Sequence, residues 1–157
     1  MKHERESRVI TIFLDFDGVL TPLPPRVRGE FDWFARLPVF EKAIRPWLDQ
    51  IEIIVSSTWR LTVPFEKIRA SFSPDVARRI KSVTGPDLGD RCEEIEQWAK
   101  EHGCEIWLAI DDHAAPFVSC PERLIAIDRA AGFSEADAAV LTEKLQTCLL
   151  AHPDQCT

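Results

Sequence analysis

No stretch of the chain is apolar over the ~18–20 residues that a bilayer-spanning helix needs. The opening residues, Met1-Lys2-His3-Glu4-Arg5-Glu6-Ser7-Arg8, mix both charge signs and lack the apolar run of a secretory signal. Glycine and proline are sparse, 6 and 11 in 157 residues, which excludes collagen-like and low-complexity chains. The five cysteines contain no C-x-x-C pair, so their spacing offers no zinc pattern. An odd number of thiols fits a reduced, cytoplasmic protein in which cysteines act as small apolar packing residues. Positive charge is also short, at 19 Lys+Arg against 26 Asp+Glu and a net charge of −7. A protein that coats nucleic acid needs a basic surface, so that class is disfavoured, while a local phosphate site is not.

What is present is enough apolar material for a core. The chain is 45% hydrophobic and 29% charged, outside the range of disordered chains. Its length suits one domain, on a prior of ~100–200 residues per domain. A chain of this size buries roughly two-thirds of its unfolded surface.

Strand and helix signals alternate. Near-continuous apolar, β-branched runs at Arg8 to Asp15, Ile51 to Ser56, Ile80 to Thr84, Ile106 to Asp111 and Leu124 to Asp128 predict five strands covered on both faces. Three- and four-residue apolar spacing predicts helices over Pro38 to Gln50, with a break at Pro46, and over Pro64 to Ser71. Pro74 to Ile80 adds a turn or two; Asp90 to Glu101 ends on a His102-Gly103 cap; Ser134 to Leu150 opens on a Ser134/Asp137 capping box. The pattern predicts an α/β three-layer sandwich on a five-stranded parallel Rossmann-like sheet, in one domain with its core at about residues 8 to 150. The tail from His152 to Thr157 is expected to fray.

Ligands of an open α/β sheet bind beyond the carboxyl ends of its strands. Those ends carry Asp15-Phe16-Asp17-Gly18, Ser56-Ser57-Thr58, Asp111-Asp112 and Asp128. Acids gathered at one edge are costly unless a cation balances them. Asp15 is a candidate nucleophile toward phosphorus. Asp17 is a candidate acid and base for the leaving oxygen and the attacking water. Gly18 would let the backbone turn sharply against a ligand. Ser56, with Ser57 and Thr58, would hold a phosphoryl oxygen, or would simply cap the following turn. Asp111 and Asp112 join Asp15 in a hard oxygen set suited to Mg²⁺, or cap their own loop. His113 beside them reads as a base or as a turn-surface histidine. A cation must serve the same edge, and Arg91 at a helix start is preferred over Lys81 in the third strand. Arg60 is read either as a bidentate phosphate ligand or as one half of a structural ion pair.

In this order, Asp15-Phe16-Asp17-Gly18-Val19, Ser56 after an apolar strand, a cation before a helix, and Asp111-Asp112 resemble the motifs of the haloacid dehalogenase (HAD) superfamily. The resemblance covers residues 8 to 128. The segment Ile53-Ile54-Val55-Ser56-Ser57-Thr58-Trp59-Arg60 is similar to HAD domains grouped with Swiss Army Knife RNA-repair proteins. The resemblance implies a phosphatase with Asp15 as nucleophile and Mg²⁺ ligand. Asp17 would be the acid/base, with its carbonyl on the metal, and Ser56 would bind the phosphoryl group. Asp111 and Asp112 would hold the metal. Arg91 would replace the usual lysine, a forked donor in place of a point charge.

The gaps from Leu20 to Ile51 and from Thr84 to Arg91 are too short for the folded cap that many HAD enzymes carry. Residues 21 to 36 are expected to form a flap offering Arg26, Arg28, Trp33 and Arg36. An open site suits a bulky phosphorylated substrate, whether a polynucleotide end, a nucleotide or a phosphoprotein, or closure by a partner subunit. The flap would grip a nucleic-acid end by charge and stacking, or would be plain surface charge around a core-packed tryptophan. Two other readings stand beside the phosphatase. One is a receiver-like phosphoacceptor, although receivers place the acid pair after the first strand. The other is a catalytically silent HAD-fold binding module. The membrane is not an expected partner, and the sequence sets no oligomeric state.

Overall fold

A computed structural model describes residues 8–25 and 27–151. The N-terminal residues 1–7, Arg26 of the expected flap and the expected frayed tail from His152 to Thr157 lie outside the described residues.

Five strands form one sheet: β1 (Ile10–Leu14), β2 (Ile51–Val55), β3 (Ile80–Val83), β4 (Trp107–Asp111) and β5 (Leu124–Ala126). All pairings are parallel, in the order β3-β2-β1-β4-β5, so β1 lies at the centre. Every residue of β1 and β4 is buried, as two-sided coverage requires.

The helices are α1 (Leu37–Ile44), α2 (Phe65–Ala70), α3 (Pro74–Ala77), α4 (Arg91–Glu101) and α5 (Glu135–Leu150). The break expected at Pro46 is present: α1 ends at Ile44 and the chain tightens into a 3₁₀ turn over Arg45–Gln50. Asp90 caps α4 by accepting the Glu93 N–H at 3.0 Å. Ser134 and Asp137 form the reciprocal capping box that opens α5. No helix among the described residues is long and apolar enough to cross a membrane.

Strand alternation separates the two faces of the sheet. Ile10, Ile12 and Leu14 of β1 join Ile51, Ile53, Val55, Leu108 and Ile110 in one cluster, closed by α1, α2, α3 and α5 through Phe40, Ile68, Val76, Leu141 and Leu145. Phe13, Ile54, Trp107 and Ala109 face the other way, against Ile95, Trp98 and Ala99 of α4 and against Phe117. The result is the expected three-layer α/β sandwich, with no separate cap among the described residues. Residues 21–25 and 27–36 are loop and turn with isolated bridges at Thr21 and at Val27–Glu30, pinned where the Phe34 N–H donates to Thr21 Oγ1 at 2.9 Å.

Candidate active site

The same alternation assembles the site. Asp15 follows Phe13 by two residues, Ser56 follows Ile54 and Asp111 follows Ala109, so all three belong to the face covered by α4. Pairing runs on past the strand ends: the Ser56 N–H donates to Leu14 O at 3.0 Å and the Asp15 N–H to Ile110 O at 3.1 Å. Three side chains distant in sequence thus meet at the carboxyl edge of the sheet's centre.

Carboxylate oxygens of Asp15, Asp111 and Asp112 lie within 4.8 Å of one another. Burial pushes the Asp15 carboxyl well above the usual carboxylate range, and the neighbouring Asp111 and Asp112 push it further. Arg91 and the Phe16 N–H, which donates to Asp15 Oδ1 at 2.9 Å, pull the other way. Asp111 is pushed up to about 6, chiefly by burial, against the opposing pull of the His113 N–H and Arg91. The like charges are balanced in part. Arg91 Nη1 lies 3.6 Å from Asp15 Oδ1 and also donates to Ser56 O. Arg129 Nε lies 3.4 Å from Asp112 Oδ2.

Two buried polar atoms at this edge have no partner among the described residues: Ser56 Oγ and Asp111 Oδ2. A buried unpaired group costs about 1–3 kcal/mol, so such atoms mark a place where something else binds. An all-oxygen set of three clustered carboxylates with one oxygen unpaired fits a hard divalent cation such as Mg²⁺. An unpaired hydroxyl next to it fits a phosphoryl oxygen.

Several residues singled out in the sequence have other surroundings. Arg60 does not face the opening. Its side chain is 1% exposed and donates to Gly85 O, Ser56 O, Ser57 O and Glu94 Oε1, the contacts of the structural ion pair that was one of its two readings. Ser57, not Ser56, is the turn cap: its buried Oγ accepts the Trp59 N–H at 3.2 Å. That engages the hydroxyl expected to bind substrate. Thr58 is exposed at the start of the same turn. Gly18 has φ +78°, and a Cβ there would collide with the Asp112 carboxylate. Its missing side chain makes room for a carboxylate rather than for substrate. Lys81 donates to Arg78 O at 2.8 Å, at the amino end of β3 and away from the acids. Of the two candidate cations, Arg91 is the one beside Asp15.

Asp17 stands apart from the acid trio: both its carboxylate oxygens accept from Trp59 Nε1, at 3.2 and 3.3 Å. His113 is exposed and contributes its backbone N–H to Asp111 Oδ1 at 2.9 Å. Asp128 is exposed and holds the Ala130 N–H of its own turn. In the flap, Arg36 Nε donates to Ala131 O, Arg28 is exposed, and Trp33 is 56% exposed rather than core-packed.

Sequence reading missed four participants. Glu94 is buried between Arg60 and Arg91, 3.0 and 3.7 Å from their nitrogens, and also accepts the Leu88 N–H. Its place one turn after Arg91 was the available signal. Arg129 had no signal beyond its charge. The Trp59 indole was visible only as a neighbour of Ser56. Thr84 Oγ1 is a third buried polar atom without a partner among the described residues, just past the end of β3, where the Thr84 N–H donates to Val55 O.

A parallel sheet with a carboxylate trio, a hydroxyl and a guanidinium at its central carboxyl edge is consistent with a HAD-like α/β core. A family model described as the HAD domain in Swiss Army Knife RNA repair proteins matches residues 11–138. The chain belongs to that family, and through it to the HAD superfamily. No curated protein matches the chain. Family membership supports a phosphatase-like, hydrolytic function.

Proposed function

We propose that the protein is a Mg²⁺-dependent phosphomonoester hydrolase that works through an aspartyl-phosphate on Asp15. The observation that carries this reading is the trio of Asp15, Asp111 and Asp112 with Ser56 Oγ and Asp111 Oδ2 left unpaired beside it. Asp15, Asp111 and Asp112 would hold Mg²⁺, which when bound offsets the charge of the acids and of the phosphoryl oxygens.

Asp15 Oδ attacks phosphorus, and the ester oxygen departs with a proton from Asp17. Asp17 then takes a proton from the water that attacks the aspartyl-phosphate, releasing inorganic phosphate and restoring Asp15. The indole N–H of Trp59 orients Asp17 for both transfers. Ser56 Oγ donates to a phosphoryl oxygen. Arg91 offsets negative charge at Asp15 as the phosphoryl group arrives.

The substrate class in this reading is a phosphorylated molecule carrying an aromatic base, either a nucleotide or a polynucleotide end. Exposed Trp33 lies 4.9 Å from the Phe31 ring centroid and 5.8 Å from Trp59, whose indole reaches Asp17. Such a line of rings beside an acid suits base stacking.

The test is hydrolysis of an aryl phosphate by purified protein, with Mg²⁺ and with EDTA, alongside Asp15→Asn. Mg²⁺-dependent release that vanishes in Asp15→Asn supports the reading. Equal turnover in a folded Asp15→Asn protein overturns it. A stable acyl-phosphate on Asp15 without turnover favours the receiver-like phosphoacceptor. Phosphorylated oligonucleotides compared with phosphopeptides then decide the substrate class, and Trp33→Ala is expected to raise KM for the oligonucleotide alone.

A further inference from the structure

The cysteines lack any metal-binding spacing in sequence, yet the fold brings two of them together with an acid. Cys92 is the second residue of α4, and Glu96 lies one turn further along the same helix. Cys120 comes from the loop after β4, between the 3₁₀ turns Ala115–Phe117 and Pro121–Arg123. The Cys92 and Cys120 sulfurs lie 3.5 Å apart. The two sulfurs and a Glu96 carboxylate oxygen all lie within 4.8 Å of one another.

We infer that Cys92, Cys120 and Glu96 form a binding site for one thiophilic divalent cation of the zinc class, separate in chemistry from the carboxylate trio. Two thiolates on tetrahedral zinc, with Zn–S of ≈ 2.3 Å, stand roughly 3.8 Å apart, so the observed spacing needs only a few tenths of an ångström of adjustment. A disulfide would require the sulfurs to close to about 2.05 Å, a far larger movement for two buried side chains. The donor set is soft on two sides and hard on the third, which suits zinc or cadmium and disfavours Mg²⁺. Inside, the sulfurs are backed by Ile95, Trp98, Ala99 and Phe117, an apolar wall that keeps water from competing. Outside, Glu96 is exposed, which gives an ion a way in and leaves a fourth position open to water.

Binding is balanced by proton release. Burial and the adjacent Cys120 raise the Cys92 thiol above its ordinary range. Uptake of M²⁺ by two thiols and a carboxylate expels two protons to solvent and leaves a complex of net charge −1. The ion would tie the first turn of α4, which carries Arg91, to the loop that follows Asp111 and Asp112.

The test uses the full chain, stripped with EDTA, exchanged into saturating Mg²⁺ and titrated with Cd²⁺ alone. One equivalent is expected to produce the ultraviolet thiolate-to-cadmium charge-transfer band and to release close to two protons; added Zn²⁺ should erase the band. Cys92→Ser and Cys120→Ser should each lose the stoichiometric band. Cys104→Ser and Cys148→Ser should keep it. Glu96→Gln, at an exposed position that does not threaten folding, should keep the band but weaken Cd²⁺ binding by about tenfold or more. No band at one equivalent, a band that survives both Cys92→Ser and Cys120→Ser, or unchanged affinity in Glu96→Gln would each overturn the site. A Cys92–Cys120 disulfide formed with oxidised glutathione, without Cd²⁺ binding, would replace it with a redox pair.

Discussion

Two charged groups sit side by side at the carboxyl edge of the sheet and solve opposite problems. Around Glu94, opposite charges are matched: Arg60 and Arg91 both face it, and Arg60 donates to three main-chain carbonyls besides. Around Asp15, like charges are crowded: three carboxylates share one corner, Asp111 is pushed up to about 6, and one of its oxygens has no partner. The first group is finished within the protein. The second needs something from outside. Neighbouring ion clusters of similar burial can thus be told apart by whether their polar atoms are satisfied, and only the unsatisfied one points to chemistry.

The sharpest break of this contrast is Asp15→Asn. It keeps the shape of the corner but removes the proposed nucleophile, and turnover is expected to fall below detection while circular dichroism stays unchanged. Asp17→Asn should slow turnover by the ~10²–10⁴-fold typical of lost acid/base catalysis. On the satisfied side the effect should appear in stability instead. Arg60→Ala strands the buried Glu94 carboxylate, and breaking a buried pair from one side costs about 3–5 kcal/mol, read from denaturant midpoints. A folded Arg60→Ala protein with normal stability and a raised KM would restore Arg60 to substrate binding.

Acidity separates the two groups again. The Asp111 carboxyl binds its proton more tightly in the folded chain than at its ordinary value of 3.8. Without metal, its stabilising contribution is therefore full below that value and is lost as pH rises through about 6. Mg²⁺ needs the ionised acids, so its affinity should rise across the same window. Asp111→Asn should raise the metal-free Tm by a few degrees above that window and abolish the further rise given by Mg²⁺. Thermal melts with EDTA and with Mg²⁺, on either side of the window, measure both effects.

Smaller effects refine the picture. Trp59→Phe keeps the ring packed against Phe16 and Phe34 but removes the donor to Asp17. It should lower kcat about tenfold and shift the pH profile of kcat, with KM little changed. Lys81→Ala should change nothing measurable, because its ammonium caps an exposed carbonyl at the other end of the sheet.

The main lines of the fold could be read from local signals. β1 and β2 announced themselves as β-branched runs, Pro46 marked the end of α1, and Ser134 with Asp137 marked the start of α5. Motif order also led to the corner where Asp15, Ser56, Asp111 and Arg91 meet, because strand ends in a parallel sheet share an edge. Direction was harder. Whether Arg60 turned toward the opening or toward the interior depended on Glu94, 34 residues away. Which serine capped the turn after β2 depended on backbone geometry at Ser57.

The sequence alone therefore determined the alternation of strands and helices and the set of acids at the sheet edge. These follow from periodicity and from the short span between neighbouring residues. Only the tertiary structure decided which polar groups are already satisfied. It separated Arg60 from Arg91, left Ser56 unpaired while engaging Ser57, and brought Cys92 to 3.5 Å from Cys120 across 28 residues of chain. The reason is physical: satisfaction is a property of a place, set by partners that arrive from other strands and helices, and no local pattern encodes who those partners are.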